Sequence, residues 1–181
     1  EIGVRLVGSE MCIRDSIYAI QYLLLIINPT IIFTAYCIAT HNITIGLIEV
    51  FSFLLIRKYC GGYHCQSSTV CLIFSAIILI VMAWLSSFIK PSLYMFIALV
   101  IADVELIIKG PVISVNHSVS DSEKKYYHRC LVGILAVFNI IIIAATVLHL
   151  YRTASCISIV IIFCFISHIA CMTEKNRKLY Y

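Results

Sequence analysis

Residues 69–89 read TVCLIFSAIILIVMAWLSSFI, an apolar run from Thr69 to Ile89 with no charged side chain. A helix of that length reaches across the hydrocarbon core of a bilayer, which needs about 20 residues at about 1.5 Å each. The same pattern recurs on both sides. Apolar runs extend from Ile17 to Ala39, Ile43 to Ile56, Ser92 to Ile108, Cys130 to Leu150 and Ala154 to Met172, divided by short polar breaks. No amphipathic period of the soluble kind competes with this reading. The expected fold is therefore all-α: a polytopic integral membrane helical bundle with five to six hydrophobic segments. The sixth depends on Ile43 to Ile56, which is short for a span and carries Glu49 in its middle. A half-helix, an interfacial helix and a tilted span all remain open for it. Asn28-Pro29 is expected to kink the first run, because proline lacks the backbone donor and clashes with the preceding turn.

Composition agrees. Hydrophobic residues make up 62% of the 181 residues, charged residues 12%, and the mean hydropathy is +1.03. A soluble domain carries a much smaller apolar share. The length allows one membrane domain and no separate soluble one. A net charge of +4, without any long Lys/Arg run, argues against nucleic acid as a partner. Of nine cysteines, Cys37, Cys156, Cys164 and Cys171 lie inside apolar runs, where the thiol behaves as a small hydrophobe. Cys60, Cys65 and Cys71 cluster instead in a polar setting.

The first fifteen residues read differently. Leu6 to Asp15 is the translation, in one frame, of a common transposase sequencing adapter, and Glu1 to Arg5 fits the same oligonucleotide. Residues 1–15 are expected to be an adapter artefact foreign to the native product, with 16–181 as the membrane domain of a chain cut short at its N-terminus.

Charge orients the bundle. One alternating set of breaks holds Arg57, Lys58, Lys109, Lys124, Lys125, Arg129, Lys175, Arg177 and Lys178, whereas the other holds only Lys90 and Arg152. The positive-inside rule then places the Arg57 to Ser68 loop, the Lys109 to Arg129 loop and the C-terminal tail in the cytoplasm.

Reactive side chains concentrate in the first of these loops, RKYCGGYHCQSSTVC, residues 57–71. On one continuous helix His64 and Cys71 would stand about 10 Å apart, too far for proton transfer. Gly61-Gly62 breaks regular structure, so the chain can fold His64 back over the next helix. That helix is expected to begin after Ser67 or Ser68, both good N-caps, with Cys71 in its first turn or just beyond. A thiolate there is favoured by the positive end of the helix dipole, and a neighbouring imidazole supplies a general acid and base. Two other readings stay open on the residues alone: an incidental loop His and helix-start Cys, or a zinc-type set of Cys60, His64, Cys65 and Cys71. Their spacing lacks the short Cys-x-x-Cys knuckle, and neither a metal nor a cofactor is expected.

Arg57, Lys58-Tyr59, Gly61-Gly62, Tyr63, His64 and, seven residues on, Cys71 resemble the motif of the accessory gene regulator B (AgrB) family of bacterial membrane peptidases, with Ser75 also familiar. Pro111-Val112, Asn116 and Glu123-Lys124-Lys125 resemble its second loop more loosely; Ile113, Ser114, Val115 and His117 stand where further prolines and an acidic residue are usual, and Cys65 replaces a small residue. The resemblance implies a cysteine endopeptidase (a thiol protease) of quorum sensing in the bacterial cell membrane. Its partner would be an AgrD-like precursor peptide of an autoinducing pheromone, cleaved through a thioester. It implies His64 and Cys71 as the catalytic pair and Arg57, Gly61 and Gly62 as supporting residues. Lys124 and Lys125 become contacts to substrate or to membrane lipids. A homo-oligomer is left open, and a non-catalytic peptide-binding scaffold or transport component is the competing reading. Glu49, Asp103 and Glu105, being costly within apolar runs, are expected to be structurally paired.

Overall fold

A computed structural model of the chain describes residues 20, 23–24, 26–61, 68–111 and 121–179. Six helices carry these residues: α1 (Ile26–Ala39), α2 (Ile43–Cys60), α3 (Ser68–Phe88), α4 (Leu93–Lys109), α5 (Asp121–Val147) and α6 (Tyr151–Leu179). The described residues of each apolar run fall mostly on one of them. No strand occurs among the described residues. The leader, residues 1–15, lies outside them.

Helix α6 is the axis of the bundle. Residues 154–161 are buried on every side for two turns, with α2, α3, α4 and α5 packed around them. Ala154, Ser155 and Ser158 keep this stretch slim, so neighbouring backbones approach closely, which is how apolar helices associate where no hydrophobic force separates core from surroundings. The other helices turn one face to this axis: Met95, Leu99, Ala102 and Leu106 from α4, and Leu131, Leu135, Phe138, Ile142 and Ala145 from α5. Their opposite faces are apolar as well. Val70, Ile73, Ile77, Val81, Trp84 and Phe88 of α3 point outward, as do Ile97, Val100, Ile101, Val104 and Ile108 of α4. Such a surface suits lipid and is far larger than a soluble monomer exposes.

Among the described residues the span count is lower than the five to six segments expected. Thr69–Phe88, Ser122–Val147 and Tyr151–Thr173 are long and apolar enough to cross a membrane. The described part of α1 is shorter, and α4 is a helix of 17 residues with Asp103, Glu105 and Lys109 in it. α2 has 18 residues but carries Glu49, Arg57 and Lys58, so polar content limits it rather than length. Three loop boundaries also move. α2 continues four residues past Ile56 because nothing breaks it before Gly61, so Arg57, Lys58 and Cys60 are helical. α5 starts at Asp121, nine residues ahead of Cys130, because DSEKKYYHR is polar yet free of Gly and Pro. α6 likewise carries the basic tail as far as Leu179.

The ends of the helices are closed by backbone chemistry. His41 (φ 55°) and His149 (φ 60°) finish α1 and α5 in the left-handed conformation. Paired bonds, Asn42 N–H to Cys37 O and Leu150 N–H to Ala145 O at 2.8 Å each, complete the caps. Gly61 (φ 76°) and Gly110 (φ 66°) do the same for α2 and α4, each donating to the carbonyl four residues back. Contacts sort the ends into two groups. Arg57 reaches Ser167, Tyr59 meets Tyr127, and His168 meets Gly110 at one end, whereas Arg152 donates to Ser87 Oγ at 2.9 Å at the other. The helices thus alternate in direction, and Arg57, Lys58, Lys109, Lys124, Lys125 and Arg129 share the first end.

Each of the three acidic groups within the bundle has a side-chain partner, as expected. Asn139 donates to Asp103 at 2.9 Å, and Glu105 pairs with Lys109 at 2.7 Å along α4. Glu49 is fully buried, with Cys156 Sγ 3.9 Å from one carboxyl oxygen.

Candidate functional site

At the basic end, three helices bring one pair or quartet of side chains each to a common cleft. α2 supplies Phe53 and Arg57, α6 supplies Phe163 and Ser167, and α3 supplies Cys71, Phe74, Ser75 and Ile78. The spacing explains the convergence: positions i and i+4 lie one above the other on a helix, and i, i+3, i+4 and i+7 make a continuous stripe. The enclosed space is ≈ 20 Å³, room for about one water. Anything larger than a water meets this cleft at its mouth.

Cys71 is the fourth residue of α3, which begins at Ser68 as the capping residues suggested, and it is half-buried. Cys71 thus lies in the first turn of α3, at the end where the helix dipole is positive. Arg57 sits in the last turn of α2, the negative end, where a cation is favoured. Its Nη1 donates to Ser167 Oγ at 3.5 Å, and its guanidinium lies 5.6 Å from the Phe53 ring centroid. Gly61 ends α2 one turn after Arg57 with its positive φ, a conformation open to glycine at low cost.

Arg57, Gly61 and Cys71 thus fall together at one end of the bundle, Arg57 and Cys71 on the same cleft. His64 and Gly62 lie outside the described residues, as do Cys65 and Asn116. Lys124 and Lys125 are exposed in the first turn of α5 and do not line the cleft. Cys60 is fully buried and does not line it either. Nothing in the sequence pointed to Phe53, Phe163 or Ser167. Ser167 is 110 residues from Arg57, and both sides of α6 are apolar, so nothing local announces which residue faces α2.

Chemically the cleft combines a thiol at a helix N-terminus, a guanidinium, two hydroxyls and an aromatic wall. The thiol offers a nucleophile, the guanidinium and hydroxyls offer donors to a carbonyl oxygen, and the rings keep water few. The model of one family, accessory gene regulator B (AgrB), matches residues 10–168. No curated protein and no solved structure matches the chain.

Proposed function

The chain belongs to the accessory gene regulator B family, whose work is peptide processing for quorum sensing, and from that premise we propose that it is a membrane cysteine endopeptidase using Cys71 and His64. The observation that carries this reading is the position of Cys71. It opens α3 at the basic end of the bundle and lines a cleft with Arg57, seven residues after His64.

In this reading Cys71 gives its proton to His64 and attacks the scissile carbonyl carbon as a thiolate. The tetrahedral intermediate collapses with loss of the C–N bond, and the His64 imidazolium protonates the leaving amine. The N-terminal part of the substrate stays on Sγ as a thioester. An internal thiol or hydroxyl of the substrate then captures that acyl group and closes a ring, releasing the Cys71 thiol. Phe53, Phe74, Ile78 and Phe163 support this step by leaving little room for the water that would hydrolyse the thioester. Arg57, which lines the same cleft, supplies a donor for the oxyanion. The substrate is an AgrD-like precursor presented at the cytoplasmic face of a bacterial cell membrane, consistent with the end that gathers Arg57, Lys58, Lys109, Lys124, Lys125 and Arg129.

Co-expression with a gene for an AgrD-like precursor peptide, followed by peptide mass analysis, tests the proposal. Wild type should shorten the precursor. Cys71→Ala and His64→Ala should each abolish shortening, whereas Cys60→Ala and Cys65→Ala should leave most of it. Normal processing by Cys71→Ala would overturn the assignment, and activity that tracks bound zinc would support the metal reading instead.

A further inference from the structure

Helices α3 and α4 follow one another in the chain and both pack on α6, yet among the described residues they hardly touch each other. A groove of ≈ 450 Å³ is left between them, floored by Ile159, Ile162, Phe163 and Ile166 of α6. On α3 it runs from Ile78 to Ile89, about 16 Å at about 1.5 Å per residue. Its far end is formed by Ser92 and Tyr94, at the end of the bundle opposite Cys71. Its near end is closed by Ile78 and Phe163, both of which also line the Cys71 cleft. Groove and cleft thus share a wall of two side chains.

Size, polarity and length decide what fits there. Spread over about 16 Å, ≈ 450 Å³ gives a mean cross-section of about 28 Å². A helix about 10 Å wide needs about 80 Å², so neither a helix of a second copy nor a helical peptide enters. An extended peptide is thin enough, but it brings an N–H and a C=O with every residue, each costly if unmet. Against these the groove sets only the hydroxyls of Ser92 and Tyr94, and Ser92 Oγ already accepts from Met95 N–H. A hydrocarbon chain is thin and has no such need. Its length agrees as well, because about 16 Å is close to the depth of one leaflet, half of a hydrocarbon core of about 30 Å. At the far end Lys90 is exposed between Ile89 and Ser92, where an anionic headgroup is attracted. Tyr94 beside it has the amphipathic ring of an interfacial residue.

We propose that this groove binds one acyl chain of a membrane phospholipid, with the headgroup at Lys90 and the chain end behind Ile78 and Phe163. Filled, the groove holds those two side chains against the Cys71 cleft and keeps the cleft at ≈ 20 Å³. Empty, it gives both side chains room to rotate away, and the cleft widens. The bound chain therefore sets how far Cys71 is open to water. Lipid binding here does not depend on what reaction Cys71 performs.

The test places the full chain in vesicles of phosphatidylglycerol with a trace of the same lipid bearing a diazirine near the end of one chain. After illumination, mass mapping should find adducts at Ile78 and Phe163 about fivefold or more above those at Ile101, on the exposed face of α4. Ile162→Trp fills the groove floor and should cut the groove adducts about tenfold, whereas Ile101→Trp should leave them. The wild-type comparison stands even if Ile162→Trp fails to fold. A second measurement reads the shared wall. In cholate, whose rigid rings do not enter so narrow a groove, added phosphatidylglycerol should slow iodoacetamide labelling of Cys71 about threefold or more. Ile162→Trp should lose that response. Groove adducts no denser than those at Ile101 would overturn the proposal. So would their replacement by a chain-to-chain crosslink, or their loss on adding precursor peptide, which would give the groove to a second copy or to the substrate. A labelling rate indifferent to lipid would overturn the shared wall. Failure of the wild type to cleave a precursor would remove the peptidase reading and leave all of these readouts in place.

Discussion

Two glycines inside helices should respond to alanine in opposite directions. Gly46 lies on the buried face of α2, where a Cβ would overlap Cys37 Sγ and come within 3.1 Å of Cys37 Cβ and 3.5 Å of Phe33 Cε1. Gly133 on α5 has nothing within 4 Å of its would-be Cβ. In both cases alanine gains up to about 1 kcal/mol of helix propensity. At Gly133 nothing opposes that gain. At Gly46 overpacking costs about 1–3 kcal/mol, because Cys37 is 3% exposed and has little space to retreat into. Gly46→Ala should then lose up to about 2 kcal/mol and Gly133→Ala gain up to about 1 kcal/mol. For a chain of this size each kcal/mol moves the midpoint by about 2–4 °C. The assay is thermal unfolding of the detergent-solubilised chain, followed by the loss of its monodisperse gel-filtration peak. A double-mutant cycle adds the decisive arm. Cys37→Ala removes the clashing sulfur, so its combination with Gly46→Ala should be more stable than the single effects sum to, by about 1 kcal/mol or more. If Gly46→Ala raises the midpoint as much as Gly133→Ala, or if the cycle shows no coupling, α1 and α2 do not pack as described.

Two further outcomes follow from the basic end. A reporter fused after Tyr181 should be active only in the cytoplasm, since the six cations that the contacts gather at one end obey the positive-inside rule; outside labelling there would reverse the orientation. Arg57→Ala should lower kcat/KM for the precursor by about tenfold or more, the scale of about 1.4 kcal/mol for a charged donor lost from a cleft, and Arg57→Lys should recover only part, because a single ammonium does not replace the guanidinium fork. Equal activity of Arg57→Ala and wild type would remove Arg57 from the site.

Segment positions were legible because hydropathy and breakers act locally. Thr69 to Ile89 became Ser68–Phe88, and the serines before Thr69 marked the start that places Cys71 in the first turn. Errors came where a helix outlasts its apolar run. Arg57 to Cys60 and Asp121 to Arg129 are polar but contain no breaker, so hydropathy saw loop where the backbone continued its hydrogen bonds. For Arg57 the difference matters, since a residue in the last turn of α2 has a fixed azimuth and one in a loop has none. The span count erred for the converse reason: apolar runs such as Ser92 to Ile108 read as segments, yet the resulting helix is short and carries three charges.

The inward faces were not legible at all. In a soluble helix the polar face names the apolar one as buried, but here Ile166 is exposed and Ile161 is fully buried on the same apolar helix. Lipid is as apolar as the core, so periodicity cannot separate the two. The few polar residues carry what little azimuthal information remains. Ser167 with Arg57, His168 with Gly110 and Asn139 with Asp103 each join different helices, and each polar group is costly to leave facing hydrocarbon. In this chain such residues mark the inner face more reliably than any apolar stripe, and two of these three connections lie at the end where Cys71 opens. A bundle held mostly by interchangeable aliphatics thus has its register set by a handful of hydrogen bonds, which is why single polar substitutions at that end should move function more than deletions of methyl groups in its core.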